Sequence, residues 1–448
     1  MLKDRLYMQK RTYLICLVLL TLLAPRFAVH ASSLGIEKNV VEYKLPNGMQ
    51  WLLMRRAGAP VFAGVVQIRV GSIEEEAGRT GLAHMFEHMA FKGTDNIKPE
   101  EIWDAFVTNG ASNLNAYTSK DTTAYHAKMP ASKLPLWIYL NSEMIKHPTM
   151  MDFEKERDVV LEELVGKIEN NPIRKMDADL LRTAFKESPY KWPTIGMKLD
   201  VANLKAKDLE TFRKKYYVPE RMTGAIVGDI DIERTKGLIF EYFGDMPRGK
   251  NPPEKFSAEP VQTEERKVRV HFDASPRLML AFHKPTLPSP DDDVFDVISY
   301  ILCYGENSRL NKELVYEKKM VQGVACDSSY PGARLDDLFV ITTEPAKGFS
   351  YDEVTNVIVA ELERLKTEPV TESELSKARN NAAKDFVFQM KGNEGIAQTL
   401  AFFQMVAGDW RYVTRHLDVI NKVTAEDIIK TAKKYLNKEN MTIAELVK

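Results

Sequence analysis

Residues 84–88 read His84-Met85-Phe86-Glu87-His88. The order H-x-x-E-H is the inverse of the common H-E-x-x-H zinc signature. Side chains at positions i and i+4 share one face of a helix, so both imidazoles can reach the same metal ion. Glu87 lies one turn from His84 and next to His88, where its carboxylate can address a water molecule at that metal. The alternative is a surface helix that carries unrelated polar residues.

Two histidines do not complete a catalytic zinc site, which needs three protein ligands and an open position. The segment 152–170 has the apolar periodicity of a helix and is rich in glutamate. Glu156 and Glu163 are two turns apart and project from one side, whereas Glu162 is rotated by about 100° from Glu163. One glutamate could be the third ligand and another could hydrogen-bond a ligand histidine. A merely solvated acidic helix is the alternative.

The proline-rich stretch 246–265 divides the chain into two parts with the same order of patterns. Each part opens with alternating, strand-like segments, continues into helices and closes on a strand that follows a helix ending in tyrosine. This repetition predicts an internal duplication of one α+β unit. The opening and closing segments are 50–54, 63–70 and 222–229 in the first half, and 268–272, 278–282 and 441–446 in the second.

The second copy lacks the histidine pair. When the halves are aligned by hand, the helical segment 294–304 takes the place of the His84–His88 helix. It carries Ile298, Tyr300 and Ile301 there. The second half is therefore predicted to be non-catalytic.

The composition is that of a soluble globular protein of two domains. The chain has 448 residues, 44% of them hydrophobic and 28% charged, with a formal charge of −1. A charge so close to zero gives no indication of a nucleic-acid partner.

The first 31 residues form a predicted secretory signal peptide. A basic region containing Lys3, Arg5, Lys10 and Arg11 precedes the apolar run 13–24, which is short for a membrane span. Small residues then stand at the positions that cleavage requires, with Ser32 following. The chain is therefore predicted to be secreted across the inner membrane into the periplasm. An uncleaved membrane anchor is the alternative.

Cys303 and Cys326 are the cysteines that remain after removal of the signal peptide. An oxidising compartment permits a disulfide between them. Their spacing does not decide between a disulfide and two buried thiols.

Several segments together resemble the M16 (pitrilysin or inverzincin) family of zinc metallopeptidases, across nearly all of the chain after the signal peptide. Its length and two homologous halves are similar to the short bacterial and mitochondrial-processing branch of that family. The segments that carry the resemblance are 81–94, 115–119, 156–163, 217–220 and 227–229.

The resemblance implies a site and a fold. His84, His88 and Glu163 would bind one Zn²⁺ per chain, Glu87 would be the general base, and Glu156 would support the site from behind. The implied fold is α+β, with two homologous half-domains that are each a mostly antiparallel sheet flanked by helices, the duplicated LuxS/MPP-like architecture. The domains would span residues 40–245 and 266–448, joined by the linker 246–265.

The segment 114–125 alternates moderately and is rich in threonine and tyrosine. Its counterpart in the family is an edge strand that pairs with the backbone of an extended or unfolded substrate. An interior strand with ordinary packing is the alternative.

One departure from the family concerns the second half. Active members present an arginine and, seven residues later, a tyrosine that grip the substrate carbonyl region. Aligned on Ser308-Arg309-Leu310, these positions are Val315 and Gln322. The resemblance therefore implies a secreted zinc endopeptidase that is the catalytic subunit of a heterodimer, in which a second M16-like subunit supplies the Arg/Tyr pair. A homodimer and a non-catalytic peptide-binding or assembly subunit are the alternatives.

Overall fold

A computed structural model describes residues 35–448. The predicted signal peptide, residues 1–31, lies outside this range. Across residues 35–448, none of the helices is both long and apolar enough to span a bilayer.

The described chain forms two sheets. The first contains β1–β6 and the second contains β7–β11. The strands are β1 Val40–Lys44, β2 Gln50–Arg55, β3 Val61–Ile68, β4 Ser112–Thr118, β5 Thr123–Pro130, β6 Met222–Gly228, β7 Arg266–His271, β8 Arg277–Lys284, β9 Val321–Tyr330, β10 Asp337–Pro345 and β11 Met441–Val447.

Helices fill the intervals between these strands. They are α1 Ile36–Asn39, α2 Leu82–Met89, α3 Pro99–Thr108, α4 Leu134–Lys146, α5 Phe153–Leu164, α6 Pro172–Ala184, α7 Lys198–Asn203, α8 Ala206–Tyr216, α9 Ile232–Phe243, α10 Pro290–Cys303, α11 Tyr351–Thr367, α12 Glu372–Gln389, α13 Asn393–Val406, α14 Tyr412–Lys422 and α15 Ala425–Tyr435.

The two sheets have the same topology. The first has the order β1-β2-β6-β3-β5-β4 and the second β7-β11-β8-β10-β9. In each, one parallel pair, β2 with β6 and β7 with β11, is followed by three antiparallel pairs, and the first sheet has a fourth, β1 with β2. The extra strand β1 is the one difference in strand order. This agreement confirms the predicted α+β fold with two homologous, mostly antiparallel halves.

In each half, one helix packs on the sheet of the other half. The apolar face of α6 packs on the second sheet, where Met176 and Leu180 contact a cluster that includes Met279. In return, α13 packs on β3 and β6 of the first sheet. Because β3 and β6 are covered on both faces, nearly all of their residues are buried. This exchange fixes the second half against the strands that carry the site.

The segment 246–265 contains no helix or strand. Its Glu254 nevertheless takes part in a buried ion-pair network between the halves. Arg334 of the second half, only 1% exposed, donates to Glu254 at 2.8 Å and to Glu74 at 2.9 Å. It also donates to the Asp121 carbonyl at 2.7 Å. The predicted domain bounds 40–245, 246–265 and 266–448 stay a prediction.

The segment 114–125 is not one strand, as the sequence pattern suggested. It comprises the end of β4, a turn at 119–122 and the start of β5. The Ser119 hydroxyl accepts the backbone N–H groups of Asp121 and Thr122 at 3.2 and 3.0 Å, which stabilises the turn. Strand β4 is the outermost strand of its sheet, as the resemblance implies.

The helix predicted over 152–170 is regular only through α5, which ends at Leu164. The next five residues, Val165–Glu169, form a wider π-helical turn. Gly166 within this turn has a high intrinsic cost in a regular helix. The glutamates of interest all lie in the regular part.

Cys303 at the end of α10 and Cys326 in β9 form a disulfide, with their Cα atoms 5.6 Å apart. The structure thus resolves the alternatives that the spacing left open.

We expect Arg334→Met to lower the free energy of unfolding by about 3 kcal/mol, because it leaves the carboxylate of Glu74 buried with fewer partners. The measurement is urea unfolding of the oxidised protein. Arg79→Met is the matched control, since Arg79 is 62% exposed and 3.6 Å from Asp208. Its cost should stay below about 1 kcal/mol. Equal losses in the two variants would contradict a special role for the buried network.

Candidate metal and peptidase site

The helix that carries the histidine pair is held at its N-terminus by a buried carboxylate. Glu75 accepts the backbone N–H groups of Gly81 and Ala83 at 2.7 and 2.8 Å. Such acceptors are favourable at a helix N-terminus, where the N–H groups have no partner within the helix. Gly81 has φ +95°, and a Cβ there would lie 2.8 Å from the Ile195 carbonyl oxygen, so a glycine is required. These contacts fix where α2 begins.

The two imidazoles lie side by side on α2, as their spacing predicts. The ring centroids of His84 and His88 are 4.7 Å apart. Their side chains are 13% and 20% exposed, so both rings are largely sheltered and yet reachable from a cavity.

Helix α5 brings a carboxylate to both rings. Oε1 of Glu163 lies 3.7 Å from His84 Nε2, and Oε2 lies 3.2 Å from His88 Nε2. One atom from each of the three residues lies within 4.8 Å of the others. Two imidazoles and one carboxylate are a donor set found in catalytic zinc sites, so these residues could hold such an ion.

Glu156 fixes the orientation of one imidazole. Its Oε1 accepts the Nδ1–H of His88 at 2.9 Å, and its Oε2 pairs with Lys92 Nζ at 2.7 Å. This hydrogen bond leaves His88 Nε2 directed at Glu163. Glu156 therefore supports the site as the resemblance implies. It is not one of the three candidate metal ligands.

The charges around the three side chains act on cation binding in both directions. Burial and the neighbouring His88 lower the pKa of His84 to about 4, so its ring is neutral at pH 7. The hydrogen bond from His88 lowers the pKa of Glu163 to about 2 against the effect of burial. Nδ1 of His84 is buried without a hydrogen-bond partner. Lys167 already places its ammonium at the Glu163 carboxylate.

Glu87 lies on the same helix and is directed toward the edge strand. Its Oε2 accepts the Thr118 hydroxyl of β4 at 2.7 Å. Burial raises the pKa of Glu87, and the hydrogen bond from Thr118 partly opposes that rise. A carboxylate of raised pKa is a better proton acceptor than an exposed one.

The site opens into a cavity of about 590 Å³ that both halves line. The first half contributes His84, Glu163 and Thr118, and the second half contributes Tyr330 and Pro331 at the end of β9. Tyr330 and Pro331 could not be predicted, because their approach to the site depends on how the halves pack.

All five residues singled out from the sequence, namely His84, Glu87, His88, Glu156 and Glu163, converge here. Glu162 is exposed and does not. Two neighbours were missed: Thr118, which binds Glu87, and Lys167, which binds Glu163. The Glu163–Lys167 spacing of i, i+4 on a predicted helix could have indicated the second pair.

The second half has a different cluster on α10, the helix that follows β8 as α2 follows β3. His416 lies between two carboxylates, with Nδ1 3.1 Å from Asp293 and Nε2 3.4 Å from Asp296. Because the carboxylates lie at opposite nitrogens of one ring, the arrangement is that of an imidazolium ion pair rather than of donors around one ion.

The two positions that align with the family's Arg/Tyr pair carry neither an arginine nor a tyrosine. Val315 packs against the core of the second half, and Gln322 is exposed. Arg309 cannot substitute, because it pairs with Glu361 at 3.0 Å and with Glu374 at 2.6 Å.

Comparison with family models agrees with the family resemblance of the sequence and with the geometry of the site. The model described as Insulinase (Peptidase family M16) matches residues 53–198, and the Peptidase M16 inactive domain matches residues 203–382. The chain belongs to peptidase family M16. The second match agrees with the absence of the histidine pair from the second half.

Individual relatives extend the M16 likeness over most of the chain. The zinc protease PqqE of Helicobacter pylori is 29% identical over 393 residues, 85% of this chain and 87% of that protein. The beta subunit of the Saccharomyces cerevisiae mitochondrial-processing peptidase is 23% identical over 424 residues, 90% of each. A crystal structure of a Helicobacter pylori protease has a TM-score of 0.84 at 27% identity, covering 91% of this chain and 99% of that one.

We expect Glu156→Gln to weaken Zn²⁺ binding by about 10- to 100-fold, because the substitution removes the charge that orients His88. Competition with a chromophoric chelator measures the affinity. Glu154→Gln, at an exposed position of the same helix, is the control and should bind Zn²⁺ as the parent does. Unchanged affinity in a folded Glu156→Gln protein would refute the supporting role.

Proposed function

We propose that this chain is a secreted, zinc-dependent endopeptidase that cleaves extended or unfolded peptides. The observation that carries the proposal is the convergence of His84, His88 and Glu163 beside Glu87, at a cavity next to an edge strand.

The proposed ligands are His84, His88 and Glu163, with one Zn²⁺ per chain. A bound zinc ion supplies a Lewis acid that makes a water molecule nucleophilic near neutral pH. Glu87 would accept a proton from the attacking water through Oε1, because its Oε2 already accepts from Thr118. The same carboxyl can deliver this proton to the leaving amine.

Strand β4 is the proposed binding edge for the substrate backbone. Within residues 35–448, its outer edge pairs with no other strand. An added strand would satisfy these backbone groups by β-augmentation, which suits unfolded segments. Thr118, at the end of β4, contacts Glu87, so a peptide on this edge would pass directly by the proposed base.

Secretion to the periplasm follows from the predicted signal peptide. The Cys303–Cys326 disulfide supports it, because disulfides persist mainly in oxidising compartments.

We further propose that a second M16-like subunit completes the site. Val315 and Gln322 cannot supply the guanidinium and phenol that active family members use, and Arg309 is bound elsewhere. A homodimer is the alternative assembly. The absence of the Arg/Tyr pair also supports the alternative of a non-catalytic subunit. The convergence of all five predicted site residues favours a peptidase.

Glu87→Gln should lower kcat/KM for an unfolded peptide by at least about 100-fold while Zn²⁺ is retained, because the proton acceptor is lost and the ligands stay. Peptidase assays, with metal analysis of the same samples, measure both. Glu76→Gln, at an exposed position before α2, is the control and should remain active.

The assay is run on the chain alone and with a sister chain that carries the Arg/Tyr pair. Activity that a chelator removes and Zn²⁺ restores supports the proposal. Full activity of Glu87→Gln with Zn²⁺ bound would remove Glu87 from the mechanism. A full rate without the sister chain would remove the need for the partner.

Thr118→Val should move the acid limb of the kcat/KM pH profile to higher pH. The Thr118 hydroxyl stabilises the charged Glu87 carboxylate and so lowers its pKa; without it, the base stays protonated to a higher pH. Thr211→Val, which removes a hydroxyl from the exposed face of α8, is the control. An unshifted acid limb in Thr118→Val would argue that another group controls it.

A further inference from the structure

A second cavity, of about 680 Å³, adjoins the edge strand and is formed chiefly by the second half. The disulfide contributes to its wall, and the side chain of Tyr117 reaches it from β4. Aromatic rings dominate the lining: Tyr117, Tyr300, Tyr304, Phe386, Phe402 and Phe403.

Consecutive residues of β4 contact the two cavities. Thr118 lines the cavity of the metal site, whereas Tyr117 lines the second one. This follows from the pleat, since successive side chains of a strand point to opposite faces. Side chains of a peptide paired with β4 would alternate in the same way, because directly opposed residues share a face.

The second cavity combines aromatic rings with negative charge. Asp296 and Asp385 line it, and His416, which also lines it, pairs with Asp296 and with Asp293 behind it, so three carboxylates here face one imidazolium. Hydroxyls of Tyr300 and Tyr304 each donate to Asp385 at 3.0 Å, which fixes this carboxylate at the wall.

The chain itself shows which kind of group this wall binds. The ammonium of Lys384 lies 4.8 Å from the ring centroid of Tyr304 and 2.8 Å from its hydroxyl oxygen. It is also 3.6 Å from Asp385, and the Lys384 side chain is 47% exposed. A cation from within the protein thus lies at the hydroxyl end of an aromatic ring and beside the carboxylate.

We propose that this cavity is a subsite for an arginine or lysine side chain of the substrate. The apolar stem would pack on the rings while the charged end reaches Asp385 and Asp296, in competition with Lys384. The inference rests on the proposed function in that the ligand is a peptide bound along β4. It adds a preference for a basic residue at a position whose side chain shares the face of Tyr117.

The test measures peptide binding to the full secreted chain carrying Glu87→Gln, so that it does not depend on hydrolysis. Fluorescence anisotropy compares peptides with arginine at successive positions with the same peptides carrying neutral citrulline. We expect arginine to be preferred by about fivefold or more at one position and not at the positions directly before and after it. Cleavage by the active complex should show the same preference in kcat/KM.

Two variants should change this preference in opposite directions. Asp385→Asn should bring the arginine-to-citrulline ratio close to one, and Lys384→Ala should raise it by freeing the carboxylate. Both positions are well exposed, and a gain in Lys384→Ala cannot come from misfolding. Glu372→Gln, on the same helix about 20 Å away, is the control and should leave the ratio unchanged.

Binding and hydrolysis separate this inference from the proposed function. Arginine-dependent binding that Asp385→Asn abolishes, without hydrolysis in any combination of chains, would support the subsite and refute the peptidase. Hydrolysis with equal use of arginine and citrulline at every position, or an unchanged ratio in both variants, would overturn the subsite alone.

Discussion

Two helices that cross between the halves set the arrangement of the whole molecule. A sheet with one uncovered apolar face is unstable in water, and each half meets this constraint with a helix from the other. Because α13 covers β3 and β6 while α6 covers the second sheet, the halves cannot shift without exposing both faces. The same helices also line the cavities, since Ala178 and Leu181 of α6 line the cavity of the metal site and Gln398 and Thr399 of α13 line the second cavity.

Within this frame, the site depends on one imidazole shared by two carboxylates. His88 hydrogen-bonds Glu156 through Nδ1 and faces Glu163 through Nε2, so a single helix, α5, both orients the ring and adds the third donor. Burial would lower the pKa of His88, but these two partners raise it to about 9. A strongly held proton at this position is what a divalent cation has to displace.

The sequence predicted the elements that have local signals. The i, i+4 spacing placed His84 and His88 on one face, and the resemblance selected Glu163 over Glu162, which the structure shows to be exposed. The turn at Ser119 was missed, since threonine and tyrosine on both sides continue the strand pattern. The crossing of α6 and α13, the Arg334 network and the two cavities could not be predicted, because each joins residues whose proximity is tertiary.

The crossing helices also bear on the origin of the chain. The two halves have the same strand order apart from β1, and in each the donated helix is the third α-helix after an antiparallel strand pair, β4–β5 or β9–β10. In one unit alone, one face of the sheet would be uncovered, and the helix that packs on the other half would have no sheet to contact. Two identical units could satisfy each other by swapping that helix about a twofold axis. The present chain has the form of such a dimer fused end to end, with the histidine pair in one of its two halves.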